Sequence, residues 1–337
     1  MANVPIKFAC GLYDRMLALY TGEVCAEGID LTYVIEESPR NIFDKMAGEL
    51  TFDACEMSTS ELVCRLAAKQ SPFVAIPVFP SRMFRHSYIV INRRAGITSP
   101  KDLEGKRIGV PIYTVSAAVY LRGLLQHEYG VDLSTIQWIE GDMETPKPRH
   151  GNPNVMPLLK PVAIESNRSG KSLSQLLADG EIDAIIAAFL PSSFGTDPDV
   201  VRLFPDYVDV ETAYYRKTGI FPIMHAVAIR RDLYEQHPFV AASLYDAFCR
   251  SRALALERML GRGATPVMLP WLKAETERMM ALMGGDLWPY GIEPNRTTLE
   301  AFVTYLAEQG MIAAPMPLDD IFVPVGAAGR YDRANNL

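Results

Sequence analysis

The sequence predicts an α/β fold of two lobes, with a cleft between them and two strands that cross from one lobe to the other. Three observations predict it. Strand-like runs alternate with helical ones over the first two thirds of the chain, which is the pattern of sheets covered by helices. The alternation stops after Gly219, where one more strand leads into a long helical tail. The length of 337 residues, with 49% hydrophobic composition, is enough for roughly two domains. The economical arrangement returns the tail to the first lobe.

In order, a first unit reads as strand 6–10, helix 15–26, strand 31–36, helix 41–47, strand 52–57, helix 61–69 and the apolar, β-branched runs 73–79 and 87–92. A second unit begins near Gly96 with a turn at 103–106, strand 107–110, helix 116–129 and strand 136–138. A proline-rich loop over 141–160 follows, then helix 173–178 and strands 182–188 and 200–204. Loops of that length in compact domains are usually functional or disordered. The tail reads as strand 225–229 and helices 238–260, 271–283 and 298–309. The expected lobes are 1–94 plus 220–337, and 95–219, with crossings near 92–96 and 214–221.

A formal charge of −7 argues against a general nucleic-acid binder. An anionic small molecule stays compatible with it, because nearby arginines outweigh the global sign at short range. No stretch approaches the roughly 18 apolar residues of a membrane span, and the N-terminus has no signal-peptide pattern. Five cysteines without a CxxC pair argue against a disulfide framework or a thiolate zinc site. A cytoplasmic protein is the simplest expectation. Phosphate-loop, dinucleotide, HExxH and GxSxG signatures are absent, and carboxylates and histidines do not fall at metal-ligand spacing.

Ligands of open α/β sheets bind outside the carboxyl ends of strands, so the segments that follow the strands are the candidate site. Arg82, Arg85 and His86 precede the run 88–91. Guanidinium groups grip carboxylates at two points, and an imidazole moves protons near neutral pH. Arg15 follows the first strand, beside an Asp14 that reads as a helix cap. Glu56 and Ser58 end the third strand before a helix, and Tyr113, Thr114 and Ser116 precede another. Helix starts offer free N–H groups to an anion. Ser192 would complete the opposite wall, and His225 lies where the chain crosses back. Lys147, Arg149 and His150 read as solvated loop residues that could also close over the cleft.

Five strings carry a resemblance. They are Arg82-Met83-Phe84-Arg85-His86-Ser87, Tyr120-Leu121-Arg122-Gly123, Gly180-Glu181-Ile182-Asp183-Ala184, Phe221-Pro222-Ile223-Met224-His225 and Trp288-Pro289-Tyr290-Gly291-Ile292-Glu293-Pro294-Asn295-Arg296. In these the chain resembles the 4,5-dihydroxyphthalate decarboxylases, relatives of the type II periplasmic solute-binding proteins, over residues 6–324. The resemblance implies a type II periplasmic-binding-protein-like fold and a carboxy-lyase acting on a small aromatic dicarboxylate. It implies catalytic roles for His86, His225 and Arg85; Arg15, Arg82, Glu56, Ser58, Tyr113, Thr114, Ser116 and Ser192 are expected to bind substrate from their places beside the strand ends and helix starts. No organic cofactor is expected, because the ring is its own electron sink; a divalent ion at the hydroxyls and self-association through the C-terminal helices stay open. Trp288 and Tyr290 are expected to pin the tail to the first lobe, and Arg296 to brace its helices. The alternatives are a transporter's solute-binding protein for an aromatic acid or heterocycle, without catalysis, and an enzyme of menaquinone or thiamin-precursor chemistry on the same scaffold.

Overall fold

A computed structural model describes residues 2–148, 157–261, 265 and 267–326. The chain opens with β1 (Val4–Cys10), β2 (Ile29–Ile35), β3 (Ala54–Ser58) and β4 (Phe73–Arg82). It then builds β5 (Ile89–Asn92), β6 (Arg107–Val110), β7 (Gln137–Glu140), β8 (Ile164–Ser166), β9 (Ala184–Ile186) and β10 (Val200–Arg202), and returns as β11 (Ile223–Arg230). The first sheet has the order β2-β1-β3-β11-β4 and the second β10-β5-β9-β6-β7-β8. In the first, β1 runs parallel to β2 and β3, while β11 runs antiparallel to β3 and β4. In the second, β6 runs parallel to β7 and β9, and β5 antiparallel to β9 and β10.

The antiparallel strands mark the two crossings, and one lies earlier than the sequence suggested. β5 pairs with β9 and β10, so residues 89–92 belong to the second lobe rather than the first. The chain changes lobes over residues 83–88, in a turn that includes the 3-10 segment His86–Tyr88. Ile89, Val90 and Ile91 put apolar side chains on both faces of β5, and all four residues are buried, so no side-chain alternation tells which sheet it joins. The predicted helix over 15–26 is a 3-10 turn, Asp14–Met16, followed by the short helix Leu17–Tyr20. Gly22, at φ 76°, continues the chain in the left-handed region. The helix Tyr207–Thr218 was not anticipated; its buried residues include the polar Glu211, which weakens the apolar stripe.

The tail returns to the first lobe but also reaches the second. The helix Phe239–Leu260 packs on the first sheet's β4 and on Asp14–Met16, while Arg296–Glu308 packs on Ser116–Tyr129. Tyr120 stacks on Phe302 at 4.7 Å between ring centroids. Gly123 permits this approach, because a Cβ there would come within 2.3 Å of the Tyr305 ring. The largest apolar core therefore takes Ala117, Val119, Tyr120 and Leu124 together with the first-lobe residues. Among the described residues no helix is long and apolar enough to cross a membrane.

Candidate active site

Successive side chains of a strand point to opposite faces, so Glu56 and Ser58 share one face of β3. The register sets His225 of β11 opposite Ser58. That places the imidazole beside the carboxylate, with Nδ1 2.5 Å from Glu56 Oε1. Glu56 is 0% exposed. Tyr13 Oη donates to it at 3.0 and 3.2 Å, the Cys10 thiol at 3.2 Å and the Gly11 amide at 3.3 Å. Burial pushes the Glu56 carboxyl up, but the charge and hydrogen bond of His225, with the bonds from Cys10 and Gly11, outweigh it and hold the group below its ordinary value. The same burial beside a carboxylate pushes the Tyr13 phenol and the Cys10 thiol up, so both stay protonated as donors. The His225 side chain is 17% exposed, and the Phe43 ring meets its edge at 5.0 Å. With Nδ1 bonded to Glu56, Nε2 is the nitrogen left for a ligand.

Two helices begin next to this pair, one from each lobe. Thr59–Ala67 starts directly after Ser58, and Ser116–Tyr129 starts at Ser116. The Ser116 hydroxyl accepts from the Ser60 amide at 3.0 Å and lies 3.1 Å from Ser58 Oγ, and Ser58 Oγ lies 3.2 Å from Ser60 Oγ. Three hydroxyls thus bridge the lobes where two helix starts meet. The Thr59 hydroxyl is buried without a partner, and Thr114 is half-buried at the second helix start. Partial positive charge and unpaired donors at such a place suit a carboxylate.

The structure gives the arginines other partners. Arg82 donates to Asn295 Oδ1 at 2.7 Å, to the Phe221 carbonyl at 2.8 Å and to the Pro289 carbonyl at 3.3 Å. Arg85 donates to the Ala188 carbonyl at 2.9 Å and points Nε at Met224 Sδ, 3.2 Å away. Burial lowers both guanidinium groups to about 10. Arg15 lies between the rings of Tyr13 and Trp288, at 4.4 and 4.3 Å, and bonds the Pro80 carbonyl and Asp14. These are braces across loops, built with the same planar fork that would hold a carboxylate.

His86 is also set apart from His225. It is 1% exposed and enclosed by the rings of Tyr129, Phe204 and Tyr214, with neither ring nitrogen hydrogen-bonded. Its nearest carboxylate is Glu211, 3.7 Å from Nδ1. Arg85 and His86 thus take their partners at the lobe crossing, while His225 faces Glu56. Tyr113 turns into the second-lobe core, where Arg122 stacks on its ring at 3.6 Å. Ser192 is exposed and donates its amide to Glu144 Oε1 at 2.8 Å. Lys147 is exposed, and Arg149 and His150 lie outside the described residues. Of the candidates, Glu56, Ser58, Ser116 and His225 come together. Tyr13 and Cys10 were missed; their signal was position alone, at and just after the end of β1.

The two sheets, their double crossing and a site at the carboxyl edges define a two-lobed α/β protein of periplasmic-binding type. A periplasmic sulfonate-binding protein from Methylobacillus flagellatus KT has a similar fold, with a TM-score of 0.52 and 14% identity over 96% of this chain and 93% of that one. The aliphatic sulphonate binding protein SsuA of Escherichia coli gives 0.50 and 11% over 96% and 97%. A family described as NMT1/THI5 like matches residues 25–149. A 4,5-dihydroxyphthalate decarboxylase of Comamonas testosteroni is 38% identical over 325 residues, 96% of this chain and 98% of that protein. One from Pseudomonas putida is 36% identical over 217 residues, 64% of this chain and 83% of that protein. The chain belongs to the 4,5-dihydroxyphthalate decarboxylase family.

Proposed function

We propose that this protein removes one carboxylate from 4,5-dihydroxyphthalate, giving 3,4-dihydroxybenzoate and carbon dioxide, with His225 as the group that moves the proton. Each carboxylate of this substrate lies para to a hydroxyl. That hydroxyl gives its proton to solvent, and the resulting phenolate pushes an electron pair onto the ring carbon that bears the carboxylate. Nε2–H of a His225 imidazolium protonates this carbon and gives a cyclohexadienone. The carbon–carbon bond then breaks, carbon dioxide leaves, and the bonding pair restores the aromatic ring as a phenolate, which takes up a proton. His225 regains its proton from solvent, so one proton is consumed per carbon dioxide. The ring holds the electron pair throughout, which is why the reading assigns no cofactor. The retained carboxylate faces the two helix starts and the hydroxyls of Ser58, Ser60 and Ser116.

One observation carries this reading: a charged, solvent-free Glu56 bonded to His225 Nδ1 at 2.5 Å, at the carboxyl edge of the first sheet. The carboxylate fixes the ring through Nδ1 and leaves Nε2 as the nitrogen that can exchange a proton with the ring carbon. The five cysteines are free, three of them buried, which fits a reducing compartment and so a cytoplasmic site for the reaction. The test is the ultraviolet spectrum of purified protein with 4,5-dihydroxyphthalate. Conversion is expected, and His225→Ala is expected to bind the compound yet convert it about 10²–10⁴-fold more slowly. Tight binding by the wild type with an unchanged spectrum would leave a solute binder instead.

A further inference from the structure

An ionised carboxylate offers about four lone-pair sites, and at Glu56 four groups fill them. His225 Nδ1 takes Oε1, the Cys10 thiol and the Gly11 amide take Oε2, and the Tyr13 hydroxyl reaches both oxygens. Three of these donors come from residues 10–13, where β1 ends. The Tyr13 ring is held in turn by the Arg15 guanidinium, 4.4 Å away, whose other face meets Trp288. We infer that Tyr13 is a positioning residue: its hydroxyl fixes the charged Glu56 carboxylate so that His225 keeps a proton on Nδ1 and presents Nε2 to the substrate. The inference rests on the proposed proton-transfer role of His225.

The physical reason is occupancy. A carboxylate whose lone pairs are all engaged has no cheap place for a proton, and it cannot swing away from the ring. Remove one donor and both restraints weaken. The titratable groups that bear on this cluster are Cys10 on β1, Tyr13 and Arg15 on the turn after it, Tyr33 on β2, Cys55 on β3 and His225 on β11. Tyr33 is engaged elsewhere, donating to the Gly11 carbonyl at 2.8 Å. Arg15 carries the one cation in the group besides the histidine, and it stacks on the ring rather than on the hydroxyl.

Tyr13→Phe keeps that ring and its stacking while deleting the hydroxyl. Its kcat is expected to fall about tenfold with KM within about twofold, and the acid limb of the kcat–pH profile to move up by about one unit. Cys10→Ala should move the same limb in the same direction by less, since a thiol is a weak donor. A substrate-free NMR titration of the His225 ring reports the same event, as a low-pH inflection that should shift upward in Tyr13→Phe. Superimposable inflections in wild type and Tyr13→Phe would overturn the inference, whatever the rate of the variant. If the wild type leaves 4,5-dihydroxyphthalate unchanged while the inflection still moves, the functional reading fails and the positioning role stands.

Discussion

A carboxylate with no solvent contact is costly unless other donors replace water, so Glu56 is the residue whose chemistry is most tightly specified. Glu56→Gln keeps the shape and removes the charge; with it goes the carboxylate that holds His225 Nδ1. Turnover is expected to drop about 10²–10⁴-fold, read by carbon dioxide release at saturating substrate. The folded carboxyl is held below its ordinary value of 4.5. Its stabilisation is therefore full above that pH and fades as pH falls through the lower folded value. Acid unfolding curves should show this: the wild type loses stability below about pH 4.5 more steeply than Glu56→Gln. His86 gives the opposite expectation. Its ring nitrogens make no hydrogen bond and three aromatic rings enclose it, with Glu211 3.7 Å from Nδ1 on the lobe crossing, so His86→Leu should retain turnover within about threefold, far short of the loss of a proton-transfer group. A hundredfold loss would return His86 to the reaction. The family resemblance placed His86 and His225 on equal terms; only the three-dimensional neighbours separate an enclosed imidazole from one that faces a carboxylate.

At the level of elements, the crossing between lobes explains what the arginine-rich string does. Arg82 ties the end of β4 to the Phe221 carbonyl on the return crossing and to Pro289 and Asn295 of the tail, and its guanidinium lies 4.4 Å over the Phe221 ring. Trp288 donates its indole N–H to the Phe79 carbonyl at 2.8 Å. The strings around 82, 221 and 288 are thus one brace, assembled from three distant segments. Arg82→Ala strands several buried acceptors at once and should cost about 2–4 kcal/mol in urea unfolding, with KM of the surviving folded protein unchanged. An altered KM at full stability would point back to a carboxylate clamp. The expected pinning by Trp288 was legible, because an aromatic with a polar edge suits a wall between elements. The clamp-or-brace choice for the arginines was not, since a guanidinium fork fits a carboxylate and a pair of backbone carbonyls alike. Helix starts after β3 and β6 were legible from their hydroxyl runs. That Ser58, Ser60 and Ser116 would meet across the lobes depends on sheet order, which one sequence does not state.

The whole molecule holds its two sheets together through more than the crossings. The helix Ser116–Tyr129 grows from the second sheet, yet its Ala117, Val119, Tyr120 and Leu124 join the first lobe's core. On its other face Ala118, Leu121 and Leu125 belong to the second lobe's core. Arg122 donates to Gln309 Oε1 at 2.9 Å, and Gln309 returns a bond to the Val119 carbonyl at 3.0 Å. One helix is therefore shared by both cores, with its N-terminus at the candidate site. A helix common to two cores transmits unfolding of either one to the other, so the lobes should lose structure in one cooperative transition. The tryptophans make this measurable: Trp138 is buried in the second lobe, Trp288 braces the first, and Trp271 is 74% exposed and replaceable. In a Trp271→Phe background, single-tryptophan variants that retain Trp138 or Trp288 should report coincident urea midpoints once corrected for each variant's own stability by circular dichroism. Gly123→Ala, which drives a Cβ into Tyr305, should lower both midpoints together, by about 1–3 kcal/mol of overpacking. Separation of the two midpoints in either protein would show that the lobes fold as independent units and that the shared helix does not couple them.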